Sequence, residues 1–396
     1  MEQLAGQAVT VLGAGVAGLA AAIALAQRGA KVTVLEQADA IREFGAGLQI
    51  TPNGAAVLRA MGLGADLERV ALRSQAVELL DGETGVRVLR MDISQRAPDL
   101  GWYLIHRADL IALLADRARA AGVVIQTGQR VERVDLSGAA PQLEMADGST
   151  RRAPILIGAD GLHSPSRAAL NGRVAPFFTR QVAWRAVIPG TPADPPVAEV
   201  HMGPGRHLVS YPLRGGTLRN IVAVEERLRW AEEGWNTEDD PMALRVAFQG
   251  FGPRVQDWLA QVERVWLWGL FRHPVAELWG RGFEGGGMLA ILGDAAHPTL
   301  PFMAQGANMA LEDAWVLSAM LGRFGTGAAA VSAFTAARRP RCVRVVAAAN
   351  ANARNYHLSG PLKAVAHLGL RGINALAPAM MLNRFAWVHD HDVTAS

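Results

Sequence analysis

Two kinds of hydrophobic pattern divide the chain. Ala8–Leu12, Lys31–Leu35, 155–157 and 288–292 are short, nearly continuous apolar runs of the kind that make buried strands. Between the first two lies Leu19–Arg28, rich in Ala, Leu and Ile and closed by Gly29, which predicts a helix with a glycine C-cap. The middle of the chain alternates instead. Strands are predicted over 181–188, 197–202, 207–213 and 218–225, with turns at Gly203-Pro204-Gly205 and Arg214-Gly215-Gly216. On the third of these strands a period of two puts His207, Val209 and Tyr211 on one face and Leu208 and Ser210 on the other. From Gly306 onward the pattern is helical: an Ala/Leu/Met-rich stretch, then 328–346, then helices over 347–390 that close the structure.

Composition narrows the class. At 396 residues, half of them apolar and 19% charged, the chain predicts one large or two modest globular domains. The net charge is +3 and the arginines are scattered, so no nucleic-acid footprint is expected. One cysteine, Cys342, rules out an intramolecular disulfide and a Cys-rich metal site, and no metal-ligand spacing is present. No secretory signal opens the chain, and the apolar stretch 364–382 is interrupted by His367, Arg371 and Asn374. A cytoplasmic protein with no membrane span is the expectation. The apolar C-terminal helix carries an expectation of a homodimer.

The candidate chemistry sits at the ends of the apolar runs. Gly13-Ala14-Gly15-Val16-Ala17-Gly18 follows the first run, and Glu36 ends the second. Gly13 permits a tight turn, Gly15 lets backbone approach a pyrophosphate, and Gly18 lets helix and strand pack closely. The helix N-terminus faces the negative charge, and a carboxylate about twenty residues on holds ribose hydroxyls. The acid favours FAD or NAD over NADP. Ile157 leads into Gly158-Ala159-Asp160-Gly161, and Leu292 into Gly293-Asp294, which runs through Pro298 and Pro301 to Gln305-Gly306 and a helix start. Two further acid-bearing turns suit a long cofactor that needs hydroxyl partners along its ribityl chain.

Taken together, G-x-G-x-x-G with Glu36, G-A-D-G-x-x-S-x-x-R at 158–167 and G-D-A-A-H-P at 293–298 resemble the single-component FAD-dependent aromatic hydroxylases. The resemblance covers essentially the whole chain. It is nearest to the branch of salicylate hydroxylase, 3-hydroxybenzoate 6-hydroxylase and 6-hydroxynicotinate 3-monooxygenase. Gly45–Asn53, His106–Leu110, Tyr211–Gly216 and the tail Trp387-Val388-His389-Asp390 support that branch. It implies an α/β fold like para-hydroxybenzoate hydroxylase: a Rossmann-like FAD-binding domain (1–75, 104–175, 275–345), an inserted, mainly antiparallel substrate-binding sheet (76–103, 176–274), and a helical C-terminal segment (346–396). It also implies non-covalent FAD, NADH or NADPH as transient co-substrate, O2, and a small phenolic substrate hydroxylated through a flavin C4a-hydroperoxide.

Roles carried over by resemblance are as follows. Gly13, Gly15, Val16, Ala17, Gly18, Glu36 and Gln37 would hold the adenosine half, with Val131 at the adenine edge. Arg42, Gly47 and Arg107 would lie near the flavin or its phosphates, although Arg107 also fits a helix-surface pair. Asp160 would link the fold to the pyrophosphate and pyridine-nucleotide region, or serve only as an Asx turn. Asp294 would meet the ribityl chain, and the amides at Gly306, Ala307 and Asn308 the flavin's N1/C2 edge. Tyr211 and His207 would orient or deprotonate the phenol, although they also fit a core tyrosine with a satisfied hydroxyl and a surface histidine; Gln49 and Gln305 would contact substrate, and Pro298 would lie near the reacting oxygen. His297 reads as structural. The hydroxynicotinate enzyme has histidine where this chain has Gln49, which counts against that substrate.

Two other classes stay open. A flavin-dependent halogenase is suggested by Trp266-Leu267-Trp268, but Gly269-Leu270 follows in place of Ile-Pro and neither Lys31 nor Lys363 is placed to carry the halogen. A non-hydroxylating FAD oxidoreductase or a flavin-binding regulator shares the same cofactor turns. The substrate, the ring position attacked, any accompanying decarboxylation and the choice of nicotinamide cofactor are not readable from the residues.

Overall fold

The computed structural model describes residues 4–41, 46–96, 101–227 and 237–395. Arg42 and Gly45, singled out above, lie outside these residues.

The four apolar runs form one sheet. Its strand order is Gly280–Gly282, Met288–Ile291, Ile155–Gly158, Ala8–Leu12, Lys31–Leu35, Val124–Gln126, parallel throughout except for the first pair. Parallel strands need crossovers that cover both faces, which is why these segments are apolar without alternation. The helix Val16–Ala26 is buried nearly all round, between Arg107–Ala120 and the long helix Gly306–Phe324. Burying Leu19, Ile23 and Leu25 contributes roughly 1.5–3 kcal/mol each.

The alternating middle forms an eight-stranded sheet, in the order Thr237–Asp239, Val265–Arg272, Phe177–Pro189, Leu218–Glu226, Arg206–Leu213, Val197–Gly203, Ala76–Asp81, Arg87–Asp92. The strands are mainly antiparallel, with Val197–Gly203 and Ala76–Asp81 parallel. One face is sealed by Pro241–Ala247 and Pro253–Ala260 through Trp184, Leu208, Phe248 and Val255. The other face turns toward the cofactor domain. Asp109, at the start of the helix Arg107–Ala120, clamps Arg214 with two hydrogen bonds of 2.7 and 2.9 Å and ties the two sheets together.

The C-terminal part differs from the sequence expectation in extent. The helix predicted to end at Val346 continues as Ala328–Tyr356, with Pro340 inside it, and carries His357 to the edge of the large sheet. The helix Gly360–Leu376 has no buried residue. It is held by Lys363, whose ammonium lies 3.0 Å from Asp81 and 2.6 Å from Glu83. No helix among the described residues is long and apolar enough to cross a membrane.

Candidate active site

A cleft of about 1360 Å³ runs from the first glycine turn to the large sheet. Gly13, Gly15, Glu36, Gln37 and Val131 line one end, Arg107, Asp160 and Asp294 the middle, and Arg185, Trp266 and Trp268 the far end. At the near end Gly13 has φ +95°, and a Cβ there would meet the Ala159 carbonyl oxygen at 2.5 Å. A Cβ on Gly18 would strike the Gly13 carbonyl, so close packing of helix and turn depends on both glycines. Gly15 faces open space with nothing within 4 Å of an added Cβ, which is the room a pyrophosphate needs. Glu36 accepts N–H bonds from Ala14 (2.7 Å) and Ala38 (2.9 Å), which fixes its carboxylate beside the turn.

In the middle, Asp160 accepts the Ser164 hydroxyl at 2.5 Å and the Ser166 N–H at 3.0 Å, and Ser164 Oγ caps the helix Pro165–Asn171 through Arg167 N–H. These bonds hold the turn, and Asp160 also lines the cleft. Burial pushes its carboxyl pKa up against those hydrogen bonds. Arg167 then reaches the carbonyls of Pro274 and Ala295, stitching this turn to the third one.

The third turn shows how an exposed acid is held on a buried loop. From Ile291 to Leu300, Asp294 alone is exposed, and it opens into the cleft. Its neighbours are pinned by Asp313, which accepts Gly293 N–H (3.1 Å), His297 Nε2 (2.5 Å) and Arg338 Nε (2.8 Å). His297 also packs on Trp279 at a ring separation of 5.3 Å. Next to Asp313, Glu312 takes Arg338 (2.6 Å), Arg341 (2.8 Å) and Asn53 (2.5 Å). All of Glu312, Asp313, His297 and Arg338 are at most 1% exposed. His297 is structural, as expected, but the hub it belongs to is not visible in the residue order. Its only linear trace is an adjacent Glu-Asp pair inside an apolar helix.

Strand register defines the face of the large sheet that looks into the site. Cross-strand neighbours point the same way, so Trp268, Ala183, Val224 and His207 form one row, Trp266, Arg185, Val222 and Val209 the next, and Val187, Asn220 and Tyr211 a third. Tyr211 packs directly on Gly47, where a Cβ would come within 2.8 Å of its hydroxyl, and Gly47 N–H donates to Asn220. Burial holds the Tyr211 phenol well above its ordinary pKa despite the Arg185 charge, so Tyr211 is a hydrogen-bond donor and not a base. Burial first, and the neighbouring His357 second, hold His207 well below the usual histidine range, so it stands as neutral imidazole. Arg185 lies over the Trp268 ring, 4.5 Å from its centroid.

One expected substrate contact needs correction. Gln305 is 2% exposed and its amide is committed to Asn53 (3.1 Å) and Thr51 (3.1 Å). It holds the start of the long helix and does not face a substrate. Gln49 Oε1 accepts Trp102 Nε1–H at 2.9 Å, and Trp102 in turn packs against His389 of the C-terminal tail. Asn308 binds Thr51 N–H, Gln49 O and Ala304 O through its side chain and braces the Gly306–Ala307 helix start. Pro298 is buried in the pinned loop.

These residues fit FAD: a glycine turn open at Gly15, an acid at the second strand end, and an exposed Asp294 on a rigid loop along one continuous cleft. Asp294→Ala is expected to weaken FAD binding about tenfold or more, since a hydrogen bond to a charged group contributes roughly 1.5–3 kcal/mol. Titration of the apoprotein by flavin fluorescence checks it; unchanged affinity would remove Asp294 from the cofactor's partners.

Comparison with known proteins bears on the same cleft. A profile for the FAD binding domain matches residues 7–351. The 3-amino-4-hydroxybenzoate 2-monooxygenase of Streptomyces cremeus is 34% identical over 89% of this chain and 89% of its own. The 3-hydroxybenzoate 6-hydroxylase of Klebsiella oxytoca is 33% identical over 91% and 92%. Among solved structures, Klebsiella pneumoniae HpxO complexed with FAD and uric acid superposes with a TM-score of 0.80 at 25% identity, covering 92% of this chain and 93% of that one.

Proposed function

Since this chain belongs to the FAD binding domain family and is an FAD-dependent aromatic-ring monooxygenase, we propose that it hydroxylates a small phenol bearing a carboxylate, a hydroxybenzoate or a close analogue. The observation that carries the proposal is one sheet face that holds Tyr211, His207 and Arg185: Arg185 lines the cleft that begins at Gly15, with Trp266 and Trp268, while Tyr211 and His207 are buried on the same face.

In this reading Gly15 and the N-terminus of Val16–Ala26 take the pyrophosphate, Glu36, Gln37 and Val131 the adenosine, and Arg107 and Asp294 the ribityl side. The first-turn amides at Gly306 and Ala307 lie toward the flavin edge that becomes negative on reduction. Bound FAD, reduced by NADH or NADPH, supplies an electrophilic oxygen from O2. The chain's own groups prepare the ring. Arg185 offers a cation for the carboxylate, Tyr211 donates its O–H to the phenol oxygen, and His207 takes the phenol proton. A phenolate is the more electron-rich target, and a positioned base contributes roughly 10²–10⁴ in rate. Leu300, Phe302 and Trp268, all nearly buried, exclude water from this end.

Four residues along a strand span about 13 Å, a gap that a histidine and a tyrosine reaching toward each other close around one phenol oxygen. Tyr211→Phe is therefore expected to slow hydroxylation roughly 10–10²-fold, the loss of one hydrogen bond to a charged oxygen, while FAD affinity is unchanged. Stopped-flow hydroxylation measured beside flavin titration checks it, and a parent-like rate would take Tyr211 out of the reaction.

The whole reading is tested by screening hydroxybenzoates and hydroxypyridines for NAD(P)H oxidation with product quantified. Oxidation without hydroxylated product for every compound would favour a non-hydroxylating oxidoreductase. Halogenation gains nothing from the structure, because Lys31 lies at a strand start outside the cleft and Lys363 is paired with Asp81 and Glu83.

A further inference from the structure

His207 does not end in the core. Its Nδ1 lies 2.7 Å from Nε2 of His357, and His357 Nδ1 lies 2.7 Å from Oε1 of Glu226. His207 is 2% exposed and His357 8%, whereas the Glu226 side chain is 52% exposed. The three come from different elements: the strand Arg206–Leu213, the end of the helix Ala328–Tyr356, and the last residue of the strand Leu218–Glu226.

The bonding order follows from what each group can do. A carboxylate only accepts, so His357 must donate from Nδ1. Burial, opposed by Glu226 and aided by Arg206, keeps His357 below its ordinary pKa and therefore neutral, which leaves Nε2 as an acceptor. His207, also neutral, must then donate from Nδ1, and its lone pair is left at Nε2. Glu226 thus dictates, through one intervening ring, which nitrogen of a buried histidine is basic.

We infer that His207, His357 and Glu226 form a proton wire from the phenol of the bound substrate to solvent, with His357 and Glu226 as positioning residues for the base. This rests on the reading of His207 as the group facing the phenol. In the forward direction the phenol O–H breaks as N–H forms at His207 Nε2. The proton on His207 Nδ1 passes to His357 Nε2, and that on His357 Nδ1 passes to Glu226, which exchanges it with water. Run backwards, the same transfers return a proton to the product oxygen and restore both tautomers.

Among the described residues, the rings of Phe302 and Tyr356 pack on His207 at 5.6 and 5.1 Å, with Met202 and Val224 across the strands. Burial pushes the Tyr356 phenol up to about 12, so it does not compete for the proton. Among the described residues near His357, Arg206 and Arg227 are both bound to Glu225 (3.4 and 2.8 Å). Glu226 bonds the histidine.

The test uses the FAD-loaded enzyme and a hydroxybenzoate that it turns over. Glu226→Gln and His357→Gln each keep a polar group and remove a proton carrier. Both are expected to slow single-turnover hydroxylation and substrate-linked proton release, followed with a pH indicator, at least about tenfold at neutral pH. The rate–pH profile and the solvent isotope effect change with them, while FAD and substrate affinities stay as in the parent. If both variants keep the parent profile while His207→Gln is slow, the wire is wrong and the base assignment stands. If His207→Gln itself keeps the parent rate, the base assignment fails and the wire with it. Should His357→Gln not hold FAD, Glu226→Gln decides alone, since its site is half in solvent.

Discussion

Replacing Asp313 with alanine is expected to destabilise the protein by about 3–5 kcal/mol, the usual cost of leaving partners of a buried ion pair uncompensated. Two cations, Arg338 and His297, would lose their shared carboxylate at positions at most 1% exposed. The backbone N–H of Gly293 would lose its acceptor too. Because those partners anchor the loop that presents Asp294, FAD should be lost before the chain unfolds. Denaturant melts of the apoprotein beside flavin titration separate the two effects; a variant with the parent midpoint would show the hub to be dispensable.

The hub also predicts how stability varies with pH. Burial pushes Asp313 up, but His297 and Arg338 outweigh it and leave its pKa at about 2. Its contribution is therefore present above the ordinary carboxylate range and is lost as pH falls toward 2. Burial alone would lower His297, yet Asp313, with the Cys342 sulfur beside it, holds it well above its ordinary value. That contribution is complete below about pH 6.5 and fades as pH rises through the raised value.

His207→Ala is expected to cut hydroxylation roughly 10²–10⁴-fold. NAD(P)H oxidation should continue, with its electrons appearing as hydrogen peroxide, because the cofactor cleft does not depend on this side chain. Product and peroxide assays on the same reaction check it, and full coupling in the variant would exclude His207 as the base. Since burial and His357 depress its pKa, the neutral base persists below pH 6.5, and the acid limb of the parent's rate profile should lie under the ordinary histidine range. The same depression carries a stability cost on acidification, because the unfolded chain binds a proton below about 6.5 that native His207 refuses.

How far the sequence could be read depended on how local each signal was. The glycine turn at 13–18, Glu36 and the two later acid turns each lie within a few residues, and the strand periods are two or continuous, so the cofactor fold was legible. The alternation over 207–211 placed His207 and Tyr211 on one face, as the register has it. The role of Gln305 is not legible in the sequence, because an amide's partner is set by whatever lies opposite. For Gln305 that partner is Asn53, 252 positions away, and for Gln49 it is Trp102, 53 away.

The strand–loop–helix from Met288 into Gly306–Phe324 shows the division most clearly. Local residue order determined that an acid would follow a buried strand and that a helix would start after Gln305. Tertiary structure decided that Asp294 is exposed while its neighbours are buried, because Asp313, Arg338 and His297 converge there from three segments. It likewise decided the chemistry of His207, whose basic nitrogen is selected by a histidine 150 residues away. Periodicity and turn chemistry act over a few residues, whereas protonation and hydrogen-bond direction depend on contacts that only the folded chain brings together.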